Sequence, residues 1–391
     1  MGLKNEKIAF VLLSGYLGGT QRRIGNLYKF LSEKNPEKYH LILHKELYEL
    51  LQKANYHLEK YPNIHIIEKK SMLDIKKKAH SSIFINVGRA FTLFKYRKEI
   101  DRIIKEQDIT VIQVYLEMVP FLGVFPIKRV KTIASLVMHL PKYFDKKNPN
   151  CKLLLYALRN YDKVDALYEY IGESLLELGV PEEKVNYPRR NFVNHIQFKP
   201  EKKERIVTFS ARMIGWKNPH LHLDAILKTI PHVDEDIVFY IMGRGNLLKQ
   251  IQKKIKNRNL EGRIKAFFCF DPSTIVNKSL IHVSVEQYDN FTNQTLLEGM
   301  ASGCAIISTD VGLTKKVVTP DIGILVRLTS EEISNAIVHL LKNPDQIKQM
   351  GQNAREKIIK EHNINMYIDY ISKVQDFDSP FHIINGKEIN F

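Results

Sequence analysis

Cysteine is scarce in this chain of 391 residues: the three present, Cys151, Cys269 and Cys304, stand far apart and form no C-x-x-C pair. That spacing argues against a disulfide scaffold and a zinc knuckle, and the sparse thiols fit a reducing cytoplasm. Long hydrophobic runs are missing too. The most apolar stretch, residues 115–127, is interrupted by Glu117, Pro120 and Pro126 and does not make a membrane span, so any membrane contact is expected to be peripheral. The apolar run 8–13 behind Lys4 and Lys7 is too short for an export signal, and Glu6 stands where a myristoylation site needs Ser or Thr. Negative charge is in deficit, with 43 acidic against 59 basic residues and a net charge of +16, which favours an anionic partner. The 44% hydrophobic and 26% charged content excludes disorder and collagen-like repeats, and the length suffices for two domains.

Short runs rich in β-branched and aromatic residues alternate with longer amphipathic segments, the pattern of β-α units and a mostly parallel sheet. In the first half, strands are expected at 7–13, 39–43, 64–67, 110–114 and 132–138, with helices at 20–33, 95–106, 153–159 and 171–178. The second half gives strands at 205–210, 237–242, 264–268, 281–285, 305–309 and 323–326, with helices at 221–229, 294–302, 331–342 and 345–361. The expected fold class is therefore α/β, with two doubly wound domains. A polar stretch at 191–200, closed by Lys199-Pro200, marks the boundary, because proline rarely continues an element. This gives an N-terminal domain at 1–195 and a C-terminal domain at 200–362. Residues 1–200 hold 34 basic and 21 acidic residues, so the first domain owns most of the excess positive charge.

In open parallel sheets ligands sit beyond the carboxyl ends of the strands, so the residues just after each strand are the ones to inspect. After the strand at 205–210 come Arg212 and Lys217, five positions apart, which either clamp a diphosphate or decorate a solvated loop. After 237–242 come Gly243 and Gly245, where missing Cβ atoms let a ligand approach the backbone or simply make a turn. The third glycine of a dinucleotide fingerprint is lacking, which disfavours a Rossmann dehydrogenase. The most informative stretch runs from Asp289 to Asp310 and reads as a polar loop, a short helix, a glycine stop and a buried strand. Its helix start offers free N–H groups and a positive dipole end suited to phosphate. Glu298, one turn further on, is either a carboxylate fork for ribose hydroxyls or solvated surface.

These residues resemble the donor-site signature of the retaining glycosyltransferases of family 4, also called group 1, which have the GT-B fold. The signature is an acidic residue, Gly or Asn, Phe, several residues, Leu-Glu-Ala-Met-Ala-x-Gly, then a strand and Thr-Asp-Val-Gly. Arg212 and Lys217 match the family's spacing, Gly243-Arg244-Gly245 its Gly-x-Gly, and 191–200 a variant of its linker, with Phe192 in place of the linker glycine. Gly18-Gly19 with Gln21-Arg22 is similar to its first glycine loop, and His139 follows a strand where the family has a histidine. The resemblance covers residues 5–375 and is strongest over 191–360. One position departs: the acidic residue expected eight places before Glu298 is Asn290, with Asp289 one step earlier. A one-residue expansion of the loop keeps Asp289 as the acidic member; otherwise that carboxylate is lost.

The resemblance implies two Rossmann-like domains facing across a cleft. It also implies transfer of a sugar, with retention, from a nucleotide-diphosphate sugar to a hydroxyl of a glycan or lipid-linked acceptor. Arg212, Lys217, Asp289, Glu298 and His139 are the implied catalytic set. Donor-binding positions are Gly18, Gly19, Gly243, Gly245, Phe291, Asn293, Gln294 and Thr295. Fixed positive potential from Arg212, Lys217 and the amides near Gln294 and Thr295 takes the place of a metal, so neither a metal nor another cofactor is expected. The Asp-x-Asp triplets at 234–236 and 376–378 fall at the wrong sheet edge and in the tail. The acceptor side is expected in the first domain, where Lys76, Lys77 and Lys78 precede Phe84, Phe91, Phe94 and Tyr96, a pattern for an anionic bilayer, a lipid-linked diphosphate or a solvated helix face. No nucleic-acid module is recognisable, so no nucleic-acid partner is expected. A helix at 363–375 is expected to return to the first domain, and no element or role is derived for 376–391. The rival reading, motivated by Asn290, is a catalytically silent GT-B protein that binds a partner enzyme or a glycan.

Overall fold

The structure, a computed structural model, describes residues 6–68, 82–115, 118–137, 145, 147–188, 191–287, 293–378 and 381–390, with backbone alone at 82–91, 216, 381 and 390. The chain divides into two units. One comprises Met1–Asn191 with Tyr367–Phe391, the other Phe192–Met366.

In the first unit, strands β1 (Ile8–Leu12), β2 (Tyr39–His44), β3 (Ile64–Ile67), β4 (Val111–Tyr115), β5 (Lys131–Leu136), β6 (Lys163–Ala166) and β7 (Val185–Asn186) form one parallel sheet in the order β3-β2-β1-β4-β5-β6-β7. Strands β1, β2 and β4 are buried at every residue, as expected of strands covered on both faces. Two of these strands escape a pattern-based reading. β7 is only two residues long, and β6 reads Lys-Val-Asp-Ala, with two charges in four positions.

Those two charges are buried because the C-terminal helix Ile364–Gln375 supplies partners. Asp165 accepts hydrogen bonds from Tyr370 Oη at 2.6 Å, Ser135 Oγ at 2.9 Å and Gln113 Nε2 at 3.2 Å. Gln375 Nε2 donates to Gln113 Oε1 at 2.7 Å. Lys163 Nζ donates to the carbonyls of Val374 at 3.1 Å and Asp376 at 2.7 Å, placing a cation at the negative end of that helix. Tyr367, Ile368, Ile371 and Val374 are buried beside this polar row. Beyond the helix lies a hairpin that the sequence reading did not place, β14 (Phe381–Ile384) and β15 (Lys387–Asn390). Its turn, Asn385-Gly386, has φ of 50° and 74°, the left-handed conformation that Asn-Gly adopts readily. Tyr187 N–H donates to Ile383 O at 2.7 Å, and Ile383 N–H to Asn186 Oδ1 at 2.9 Å, which joins the hairpin to the end of β7.

The second unit holds a six-stranded parallel sheet of β8 (Ile206–Ser210), β9 (Val238–Met242), β10 (Ile264–Phe267), β11 (Ile281–Ser284), β12 (Ala305–Thr309) and β13 (Gly323–Val326), in the order β10-β9-β8-β11-β12-β13. All six expected strands of this half are present, each to within one residue at either end. Its core is largely aliphatic, built on Val207, Phe209, Ile241, Val283, Ile307 and the helices packed on them. Helices Lys45–Lys53, Met118–Val124 and Leu248–Lys256 add to those expected, and the helix expected at 95–106 begins earlier, at Ser82. Among the described residues, no helix is long and apolar enough to cross a membrane.

Burial raises the Asp165 carboxyl to about 6, against its ordinary 3.8. Between those values the folded chain binds a proton that the unfolded chain does not, so this group's contribution to stability falls as pH rises through that window. Tyr370→Phe removes one donor from the carboxylate, a loss of about 1.5–3 kcal/mol for a hydrogen bond to a charged group. Urea unfolding at pH 8 should show the first unit destabilised by that amount, with a smaller loss at pH 5, where the carboxyl is protonated. Equal stability to wild type at pH 8 would remove Tyr370 from the account.

Candidate functional site

Strand order reverses at β8, which has β9 on one side and β11 on the other. The loops leaving such neighbours diverge and leave a crevice at the carboxyl edge, the usual ligand position in an open α/β sheet. Of the residues singled out in the second half, Arg212, Lys217, Gly243, Gly245, Asn293, Gln294, Thr295 and Glu298 lie at this edge.

The loop after β8 is shaped by two glycines of the next strand's loop. A Cβ on Gly243 would stand 1.7 Å from the Ala211 carbonyl oxygen, and one on Gly245 would stand 2.2 Å from that of Met213. Met213 N–H donates to Arg244 O at 2.9 Å, and Leu247 N–H donates to Met213 O at 3.1 Å. The space left by the missing side chains is therefore filled by the protein's own backbone. The glycines thus hold the Arg212 loop against the sheet. Arg212 itself is exposed.

Lys217 ends that loop and turns inward. It is only 5% exposed, and its Nζ donates to both oxygens of Glu286 at 2.5 Å. Burial lowers its pKa, Glu286 opposes that shift, and the Arg212 charge adds to it. Removing one partner of a buried pair of this kind costs about 3–5 kcal/mol, since the other is left uncompensated. Glu286 follows β11 and was not among the residues expected from sequence. Its signal was an acidic side chain two residues past a buried strand, at the edge where Arg212 and Lys217 were already suspected.

Helix Gln294–Ala301 begins beside this pair. Asn293 caps it, accepting from Thr295 N–H at 3.1 Å and from Thr295 Oγ1 at 3.2 Å. The Asn293 Nδ2 group donates to Glu286 Oε1 at 2.5 Å and to Ser284 Oγ at 3.1 Å. Gln294 Nε2 donates to Glu298 Oε1 at 3.3 Å. Glu298 is 3% exposed, so it is no ordinary solvated helical glutamate. The far end of the helix is fixed by Arg355, whose Nη1 donates to Ala301 O at 2.7 Å and Phe198 O at 2.8 Å, and by Lys203 Nζ, which donates to Ser302 O at 2.7 Å. Beneath the helix lies His282, hydrogen-bonded to Thr208 Oγ1 at 3.0 Å. Burial lowers its pKa to about 4 and that of His222, another buried histidine, to about 3, so both are neutral near pH 7.

Gly18 and Gly19 belong to the first unit, after β1, where Gly18 N–H donates to Gln21 Oε1 at 3.0 Å at the start of helix Gly19–Lys34. His139, Asp289 and Phe291 lie outside the described residues, as does Asn290. Arg205 pairs with Asp234 and, at 2.8 Å, with Asp236, which places the first Asp-x-Asp triplet at the amino edge of the sheet, away from this crevice. Among the described residues, no group of three or more His, Cys, Asp or Glu is placed to hold a metal ion.

Residues 192–357 match the family model described as glycosyl transferases group 1, which spans nearly the whole second unit. The second unit belongs to the glycosyl transferases group 1. Over 94–95% of its length the whole chain is similar to solved GT-B structures, which shows the fold. Anabaena HepE in complex with UDP and glucose has a TM-score of 0.73 at 15% identity, with 95% of this chain and 99% of that one covered. A mutant of Staphylococcus aureus TarM in complex with fondaparinux, alpha-GlcNAc-glycerol and UDP has a TM-score of 0.69 at 13% identity, covering 94% and 99%. A curated relative, poly(ribitol-phosphate) alpha-N-acetylglucosaminyltransferase of Staphylococcus aureus (strain COL), is 22% identical over 232 residues, which cover 58% of this chain and 47% of that protein. The match thus spans about half the length of that relative. In the group 1 unit of this chain, Gly299 stands where the family signature has alanine.

That glycine has a local cause. A Cβ on Gly299 would come 2.6 Å from His282 Cγ. Helix propensity alone favours Ala over Gly by about 1 kcal/mol. Overpacking against a buried ring costs about 1–3 kcal/mol and should win. Gly299→Ala is therefore expected to lower the midpoint of chemical unfolding of the second unit, and a raised midpoint would show that His282 yields.

Proposed function

We propose that the chain is a retaining glycosyltransferase that moves a sugar from a nucleotide-diphosphate sugar to a hydroxyl of a glycan or lipid-linked acceptor. The observation that carries this reading is the convergence, at the switch point of the second sheet, of the Arg212–Lys217 loop with the capped start of the Glu298 helix. In such a transfer negative charge grows on the departing diphosphate. Pre-placed cations and backbone amides aimed at that charge lower the barrier without reorganising during the reaction. Arg212 offers a guanidinium fork, Lys217 a fixed point charge and the amides of Gln294 and Thr295 the positive end of a helix. Glu298 takes the ribose hydroxyls of the donor. With the leaving charge met in this way, the reaction is proposed to need no divalent ion. Asp289 and His139 retain the roles the family resemblance implies, beside the donor sugar.

The crystals named above hold UDP, which makes UDP-sugars the first donors to try. The curated relative is named for an anionic polymer, and the basic first half of this chain suits an acceptor of that charge, as in surface polysaccharide biosynthesis. Titration calorimetry with UDP-, GDP-, ADP- and CMP-sugars should find one donor class that binds, and Arg212→Ala and Glu298→Ala should each weaken it about tenfold or more, the loss expected of a charged hydrogen bond. Turnover should persist in excess EDTA. If no nucleotide sugar binds folded wild type at millimolar concentration, the donor-site reading fails.

An anionic membrane surface is a second proposed partner. Phe94 and Phe125 are 40% and 42% exposed, and their rings meet each other and that of Phe121 edge-on or tilted, at centroid distances of 4.8–5.2 Å. Arg97 donates to the carbonyls of Phe125 and Pro126 at 3.1 Å, and Lys95, Lys98, Lys128 and Arg129 are exposed nearby in the chain. Aromatic rings flanked by cations bind the headgroup region of acidic bilayers. The chain should cosediment with phosphatidylglycerol vesicles at low salt but not with phosphatidylcholine vesicles. The paired change Phe94→Ser and Phe125→Ser should reduce that binding, and unaltered binding by the variant would place the contact elsewhere.

A further inference from the structure

We propose that Glu286 is the positioning residue of the donor site, a single buried carboxylate that sets both the Lys217 ammonium and the start of the Glu298 helix where a nucleotide diphosphate is gripped. This rests on the donor-site reading and deepens it, since Glu286 belongs to none of the residues that the family resemblance supplied.

Two loops and a strand end meet at this residue. Its backbone is pegged to the end of β12, with Glu286 N–H donating to Thr309 Oγ1 at 2.9 Å and Thr309 Oγ1 donating to Glu286 O at 2.9 Å. Its carboxylate then receives Lys217 from the loop after β8 and Asn293 from the helix cap. Glu286 is 4% exposed and Lys217 5%, so both charges are held within the protein. Long lysine side chains at a surface are mobile and bind phosphate as poorly placed point charges; one held at both carboxylate oxygens is placed before the ligand arrives. The same carboxylate orients the amide of Asn293, which leaves the other end of that amide to accept from Thr295. A single anion thus aligns two separate sources of positive potential.

Among the described residues, Glu286 favours the Lys217 ammonium and Arg212 disfavours it. Replacing Glu286 by Gln keeps the shape and removes the charge. The buried amine then loses the partner that keeps it protonated, so its titration moves toward neutral pH. That gives a readout which simple loosening of the fold would not: a pH dependence of diphosphate binding.

The test is titration of UDP, GDP, ADP and inorganic pyrophosphate into wild type, Glu286→Gln and Glu286→Asp between pH 7.5 and 9, with thermal unfolding as the check of folding. Wild-type affinity should stay level across that range. Glu286→Gln should bind about tenfold more weakly or worse at pH 7.5 and weaken further as pH rises, the signature of an amine losing its proton. Glu286→Asp keeps the charge on a shorter arm, so it should bind less tightly than wild type with a level profile. A folded Glu286→Gln with wild-type affinity and a level profile overturns the proposal while leaving the donor site standing. Failure of every probe to bind folded wild type at millimolar concentration overturns both. Should the amide variant not fold, Glu286→Asp decides: weaker binding supports the proposal and wild-type affinity overturns it.

Discussion

A carboxylate and an ammonium removed from water together fix the working edge of the second sheet. Desolvating either alone is prohibitive, so the pair forms only where the surrounding backbone brings Lys217 and Glu286 within hydrogen-bond reach. The rest of the site serves that requirement. Gly243 and Gly245 let the loop after β8 lie flat enough for Lys217 to turn inward, and Thr309 holds the strand end from which Glu286 projects. Once the pair is made, Asn293 and the helix it caps follow. The electrostatic site and the packing beneath it are therefore one construction.

The first unit solves a similar problem with different chemistry. Among the described residues no cation pairs with Asp165; its charge is met by Tyr370, Ser135 and Gln113. Neutral donors compensate a buried carboxylate less completely than an ammonium does, which is why Asp165 titrates well above an ordinary aspartate. The contrast matches the position of each group. Lys217 and Glu286 lie at the edge where a charged ligand is expected, while the Asp165 row sits beneath a helix and has only the fold to serve.

Much of this was legible in the sequence where burial and periodicity agree. All six strands of the second sheet show as β-branched runs, because strands covered on both faces must be apolar. The exceptions have physical causes. β6 carries Lys163 and Asp165, whose burial depends on residues some two hundred positions later, and no local window contains them. The terminal hairpin did carry a local sign, Asn385-Gly386, but its strands are short and half polar. At the site, strand-end positions and the family resemblance drew attention to Arg212, Lys217, Asn293, Gln294, Thr295 and Glu298, but not to Glu286. Glu286 acquires its role only from a partner on a different strand's loop. Gly243 and Gly245 were noticed for close approach, and the backbone of the loop after β8 makes one.

Because the first unit takes its last elements from residues 367–391, its strands β1–β7 are made well before the helix and hairpin that cover them. The second unit, by contrast, is one continuous segment. Until Tyr370 and Gln375 arrive, the row of Gln113, Ser135 and Asp165 lacks its cover, and the end of β7 lacks the hairpin that joins it. A partly built parallel sheet with an open edge is prone to pair with other chains. The part of this unit made before the second unit thus waits for the part made after it, and loss of residues 367–391 strikes at strands laid down long before them.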